Sequence, residues 1–153
     1  SIDPSYYQRY IGDDVPVKII FGQTYRLLQQ AKAALVTSGT ATLETALFRV
    51  PQVVCYYIPL GKFISFLRRH ILKVKYISLV NLVADKEVVR ELVADTMTVQ
   101  NVRAELNALL NNEPYRNRML QEYDRMIKII GPAGSSRQAA SKMINLLSVR
   151  KGE

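Results

Sequence analysis

A chain of 153 residues with 48% hydrophobic and 22% charged side chains can bury one compact core, which excludes a disordered or collagen-like chain. One cysteine, Cys55, and one histidine, His70, leave no disulfide framework, no cysteine-based zinc site and no histidine-rich metal centre, and a hydrolase-type triad would have to use His70 as its base. The 21 basic residues outnumber the 13 acidic ones for a net charge of +8, a balance suited to nucleic acid, phosphorylated small molecules or an acidic membrane surface.

Residues 1–16, SIDPSYYQRYIGDDVP, are polar and tyrosine-rich without a period, and read as a loop, a lead-in or the remnant of upstream sequence. They do not resemble a signal peptide, so a reduced, cytoplasmic setting is expected. Residues 17–153 form the domain proper. Val17-Lys18-Ile19-Ile20 is a short β-branched run, followed by a helical stretch through Tyr25, Leu27, Leu28 and Ala31. Ala34-Leu35-Val36 is a brief apolar run that stops at Thr37-Ser38-Gly39-Thr40. Ala41 to Arg49 is helical in composition and Pro51 ends it; Gln52 to Tyr57 reads as a buried strand. Short apolar strands alternating with helices predict an α/β fold with a Rossmann-like parallel sheet flanked by helices. After Asn81 the spacing predicts only helices, over Glu87–Val93, Val99–Leu110, Tyr115–Ile130 and Ser135–Val149, a helical C-terminal region. In the third of these, Leu120, Tyr123, Ile127 and Ile130 mark the buried face. About three strands are few for a self-sufficient doubly wound sheet, so the chain is expected to be a fragment lacking an upstream domain.

The segment Ala34 to Glu44 carries the most chemistry. A strand ends, a small-residue turn follows, and a helix begins, with unpaired N–H groups and a positive dipole end suited to phosphate. Gly39 allows close approach to the backbone, and the hydroxyls of Ser38 and Thr40 add donors. Ser38 or Thr40 would cap the helix with or without a ligand. Glu44 fits no capping box, because three residues before it stands Ala41. It lies one turn after Thr40 on the same face, placed either as a solvated carboxylate or as an acceptor for a pair of sugar hydroxyls.

Val36-Thr37-Ser38-Gly39-Thr40-Ala41-Thr42-Leu43-Glu44, followed by Pro51-Gln52-Val53-Val54 and by Tyr76-Ile77-Ser78-Leu79-Val80-Asn81-Leu82, resembles the carboxy-terminal half of the lipid-A-disaccharide synthase family, over roughly Ala33 to Leu147. Where Val80 stands, that family usually has proline. The resemblance implies the C-terminal domain of a GT-B glycosyltransferase, a hexosyltransferase of lipid A and lipopolysaccharide biosynthesis that serves bacterial outer-membrane biogenesis. Such an enzyme joins UDP-diacylglucosamine to a diacylglucosamine 1-phosphate with inversion. By the same resemblance Ser38, Gly39 and Thr40 would hold the diphosphate and Glu44 the ribose, with Ala41 and Gln138 at the same UDP site. No cofactor or metal is called for, and the catalytic base is expected in the missing N-terminal domain, leaving this piece inactive alone. Gly131-Pro132-Ala133-Gly134-Ser135-Ser136-Arg137-Gln138 opens the last helix. There Ser135 and Gln138 also make a capping box, and Gly134 stands where some relatives carry asparagine.

From Lys62 to Lys75 there are five cations and no acid. Lys62, Phe63, Phe66, Arg68, Arg69 and Lys73 would suit a helix dipping into an anionic membrane, placing the protein on the inner face of the cytoplasmic membrane. The same spacing equally suits a helix packed on the sheet with its charges in water. His70 falls on the apolar face of that stretch and reads as a packed residue, and Cys55 as a small core residue. The expected partners are a UDP-sugar lipid, an anionic membrane, the missing domain and a second copy of the chain, but not nucleic acid, for which no motif is present. Two other readings remain: another UDP-sugar transferase or epimerase of similar fold, and a non-catalytic peripheral membrane module.

Overall fold

The computed structural model describes residues 3–11, 16–37, 39–57, 75–131, 134 and 140–145. Contacts divide the chain into two compact units, Ser1–Ala31 and Lys32–Glu153. In the first, Asp3 caps a short helix, α1 (Pro4–Gln8), by accepting from the Ser5 N–H at 2.8 Å, with Pro4 at the first helical position. A proline there costs no hydrogen bond and sets the right φ, which is why a segment read as a loop contains a turn of helix. The rings of Tyr6, Tyr7, Tyr10 and Phe21 pack in a chain at centroid distances of 5.4 to 5.9 Å. Helix α2 (Thr24–Gln30) follows, with Leu28 buried. Beside it an open cleft of about 350 Å³ is lined by Lys18, Ile20, Gln23, Arg26, Leu27 and Gln30.

The second unit holds a parallel three-stranded sheet in the order β1 (Ala34–Val36), β2 (Gln52–Tyr56), β3 (Arg90–Val93). Helices α3 (Gly39–Leu47), α4 (Leu79–Ala84), α5 (Val99–Asn111) and α6 (Glu113–Ile130) surround it. Helix α3 packs on β1 and β2, α5 on β2 and β3, and α6 runs against α3, α4 and α5. Residues 140–145 are also helical. Successive strand residues face opposite ways, and Gln52, Val53, Val54 and Cys55 are all buried, so β2 is covered on both faces, as parallel sheets require. The α/β parallel architecture expected from the sequence is the one observed.

Strand identity differs in one place. Val17–Ile20 joins no ladder among the described residues, and the third strand is Arg90–Val93, inside the stretch Glu87–Val93 that spacing predicts as helix. Leu92 and Val93 are both buried, one on each face, so the alternation that marks a half-exposed strand is missing and tertiary pairing overrides the local pattern. Helix α3 ends at Leu47 in a Schellman turn, with the Val50 N–H donating to Thr45 C=O at 3.1 Å and the Arg49 N–H to Ala46 C=O at 2.9 Å. Arg49 takes the left-handed conformation at φ 57° that glycine usually fills. In α6 the fully buried side chains are Met119, Tyr123 and Met126. Leu120 and Ile127 pack at the margin of the core, while Ile130 is exposed, so the buried stripe is rotated slightly from the expected one.

Gln52 is fully buried, and its amide nitrogen donates to the Thr42 carbonyl of α3 at 2.9 Å and to the Tyr123 hydroxyl of α6 at 3.2 Å. Burial pushes the Tyr123 phenol well above its ordinary range. Cys55 is buried in β2, and burial raises its thiol; an inert core residue is what such surroundings produce.

Candidate functional site

Because the three strands are parallel, Val36, Tyr56 and Val93 end at one edge of the sheet, the edge where ligands of such folds collect. The chain leaves β1 through the exposed Thr37 and enters α3 at Gly39. Ser38 lies outside the described residues, as do Gln138 and the whole of 58–74, with Lys62, Phe63, Phe66, Arg68, Arg69, His70 and Lys73. The structure therefore places four of the expected UDP-site residues, Gly39, Thr40, Ala41 and Glu44, in the first turn and a half of α3.

Within that helix the threonines divide their work. Thr42 and Thr45 are buried and donate back to the carbonyls of Gly39 at 2.6 Å and Ala41 at 2.7 Å, so their hydroxyls are committed to the fold. Thr40 stays exposed and Gly39 and Ala41 half-buried at the open end. Glu44 is half-buried, and its carboxylate makes no hydrogen bond or ion pair among the described residues. It lies four residues after Thr40, hence on the same helix face.

Two residues not singled out by the sequence complete this edge. Tyr56, the last residue of β2, brings its hydroxyl oxygen within 3.9 Å of where a Cβ on Gly39 would stand. Glu91 pairs in register with Val54, so Glu91, Val54 and Tyr56 face the same side of the sheet. The Glu91 carboxylate accepts from the backbone N–H of Ile77 at 3.0 and 3.1 Å, from Ser78 N–H at 2.9 Å, from Ser78 Oγ at 2.8 Å and from Asn81 Nδ2 at 2.9 Å. It thereby fixes the chain where it enters α4. Burial and the Glu91 charge push the Tyr56 phenol up, so it remains a neutral hydroxyl and a donor.

At the end of β3, Ala94 adopts φ 53°, a conformation that costs a residue with a Cβ on the order of 1 kcal/mol. Thr96 steadies it by accepting from the Val93 N–H at 2.8 Å and donating to the Val93 C=O at 2.9 Å. Among the described residues no three His, Cys, Asp or Glu side chains converge on a metal site, and no helix is long and apolar enough to cross a membrane. The signals that could have found Tyr56 and Glu91 are non-local. Each sits at or near a strand end, but its meaning depends on which strands are neighbours.

A family model described as lipid-A-disaccharide synthetase matches residues 8–144. Curated relatives named lipid-A-disaccharide synthase include that of Psychromonas ingrahamii, 39% identical over 144 residues, which cover 94% of this chain and 36% of the relative. The protein of Syntrophus aciditrophicus is 34% identical over 136 residues, 89% of this chain and 35% of the relative. That of Saccharophagus degradans is 31% identical over 138 residues, 90% and 35%. The chain thus spans about a third of the length of the relatives it matches.

Proposed function

Because the chain belongs to the lipid-A-disaccharide synthetase family, we propose that it is the UDP-sugar-binding portion of an inverting glycosyltransferase of lipid A biosynthesis. The enzyme would join UDP-diacylglucosamine to a diacylglucosamine 1-phosphate, and α3 would open onto the nucleotide. The observation that carries this reading is Glu44: a half-buried carboxylate with no protein partner among the described residues, one turn along the face that begins at Gly39 and Thr40. A carboxylate in that position is set to accept from two ribose hydroxyls, while the start of α3 receives the diphosphate. As the glycosidic bond to UDP breaks, negative charge grows on the diphosphate. A fixed helix terminus stabilises that charge without reorganising. The base that deprotonates the acceptor hydroxyl is assigned to the rest of the enzyme, and this chain alone is assigned nucleotide binding without turnover.

The test is a calorimetric titration with UDP, with ADP as control. Selective binding of UDP is expected. Glu44→Ala is expected to weaken it roughly tenfold or more, the worth of one or two hydrogen bonds to a charged group. Equal affinity of the wild type for UDP and ADP, or of the variant and the wild type for UDP, removes the assignment.

The cationic stretch Lys62–Lys75 supports a second element of the proposal. It would dock the enzyme on an anionic membrane, where an acyl-chain substrate resides, with Lys62, Phe63, Phe66, Arg68, Arg69 and Lys73 as the contact.

A further inference from the structure

We infer that Tyr56 is a ligand-contacting residue of the same edge, its phenol O–H donating to a phosphate oxygen of the nucleotide seated against Gly39. The inference rests on the nucleotide reading of α3 and adds a donor from the central strand. Three observations carry it. The Tyr56 hydroxyl stands 3.9 Å from the position of a Cβ on Gly39, so the space that Gly39 leaves open by lacking a side chain is bounded by that hydroxyl. The residue is half-buried and its hydroxyl has no hydrogen-bond partner among the described residues, so this donor is not committed to the fold. Its acidic neighbour on the same sheet face, Glu91, turns its oxygens to Ile77, Ser78 and Asn81.

A neutral donor here complements the helix terminus. The backbone N–H groups of α3 supply the dipole, and Tyr56 reaches the phosphate from the neighbouring strand, fixing its direction as well as its charge. Gly39 has a further role in this geometry. A methyl group at that position would sit in ordinary contact with the Tyr56 oxygen, tolerated by the protein but occupying the place of the ligand.

The test uses the 153-residue chain and Tyr56→Phe, which keeps the ring and removes only the hydroxyl. Titrations with UDP and with uridine are compared for both proteins, alongside urea melts. The expected result is an unchanged melt, UDP affinity reduced roughly tenfold, and uridine affinity unaltered. Unchanged UDP affinity overturns the assignment while leaving the nucleotide site intact. Equal losses for UDP and uridine, or a lowered melt, give the hydroxyl a structural role and overturn it too. If the wild type binds no UDP, the nucleotide reading itself fails and Tyr56 falls with it.

Discussion

Asn81 uses both ends of its amide. Its oxygen accepts from the Val88 and Val89 N–H groups at 2.8 and 2.9 Å, and its nitrogen donates to the Val89 carbonyl at 2.8 Å and to Glu91 at 2.9 Å. Fully buried, it joins α4 to the approach of β3, and Glu91 carries the connection on to Ile77 and Ser78. Asn81→Ala strands several of these groups away from water and is expected to cost about 3 kcal/mol or more in urea denaturation. Asn81→Asp keeps one acceptor but sets a second carboxylate against Glu91. Its pKa in the folded state would be raised above the unfolded value, so its penalty is full at pH 7 and shrinks as pH falls towards about 4. A penalty that stays constant with pH would refute this. At this scale the sequence was partly legible. Gly39 and Glu44 stand out because a turn and one helix face are local patterns. Tyr56 and Glu91 do not, because their neighbours are 10 or more residues away in the chain, as the spans from Asn81 and Ile77 to Glu91 illustrate.

Among the elements, the helices were the most legible. Those expected over Val99–Leu110 and Tyr115–Ile130 are found as Val99–Asn111 and Glu113–Ile130, since a 3.6-residue period survives in a helix that buries one stripe. Their junction hinges on Asn112, whose side chain accepts from the Tyr115 N–H at 3.1 Å to start α6. Asn112→Ala is expected to cost about 1 kcal/mol, read as a shift of the urea midpoint without a change of slope. β3 was illegible for the opposite reason, since its two apolar residues are buried on both faces and imitate helical spacing. Helix α6 is also tied to the end of α4 by the ion pair of Glu122 with Lys86, while Arg125 flanks it at 2.6 Å. The hydrogen bond from Lys86 is the leading cause that holds the Glu122 carboxyl below its ordinary range. A lowered folded pKa contributes stability that is present above the unfolded value near 4.5 and lost as pH falls through the folded one. Lys86→Met is therefore expected to destabilise by less than about 1 kcal/mol at pH 7. The difference from wild type should fade under acid; a deficit persisting at low pH would place the role of Lys86 elsewhere.

For the whole molecule, the α/β class was legible because strands and helices alternate, and the edge where ligands of such folds collect follows from parallelism once the order of strands is known. The surplus of eight positive charges makes a prediction at this scale. Sedimentation with vesicles containing anionic phospholipid is expected to capture the chain at low salt and release it as salt rises, since exposed charges are screened beyond a Debye length. Binding that ignores salt, or none at all, removes the membrane element of the proposal. Replacing Arg68 and Arg69 by Gln should weaken capture without affecting UDP titrations.

The buried amide of Gln52 has a mechanical consequence. One nitrogen grips the carbonyl of Thr42 in the second turn of α3 and the phenol of Tyr123 in the middle of α6, so neither helix can slide along its axis without breaking that grip or dragging the other. A shift of α3 along its axis would strain both bonds, which ties the start of one helix to another far along the chain.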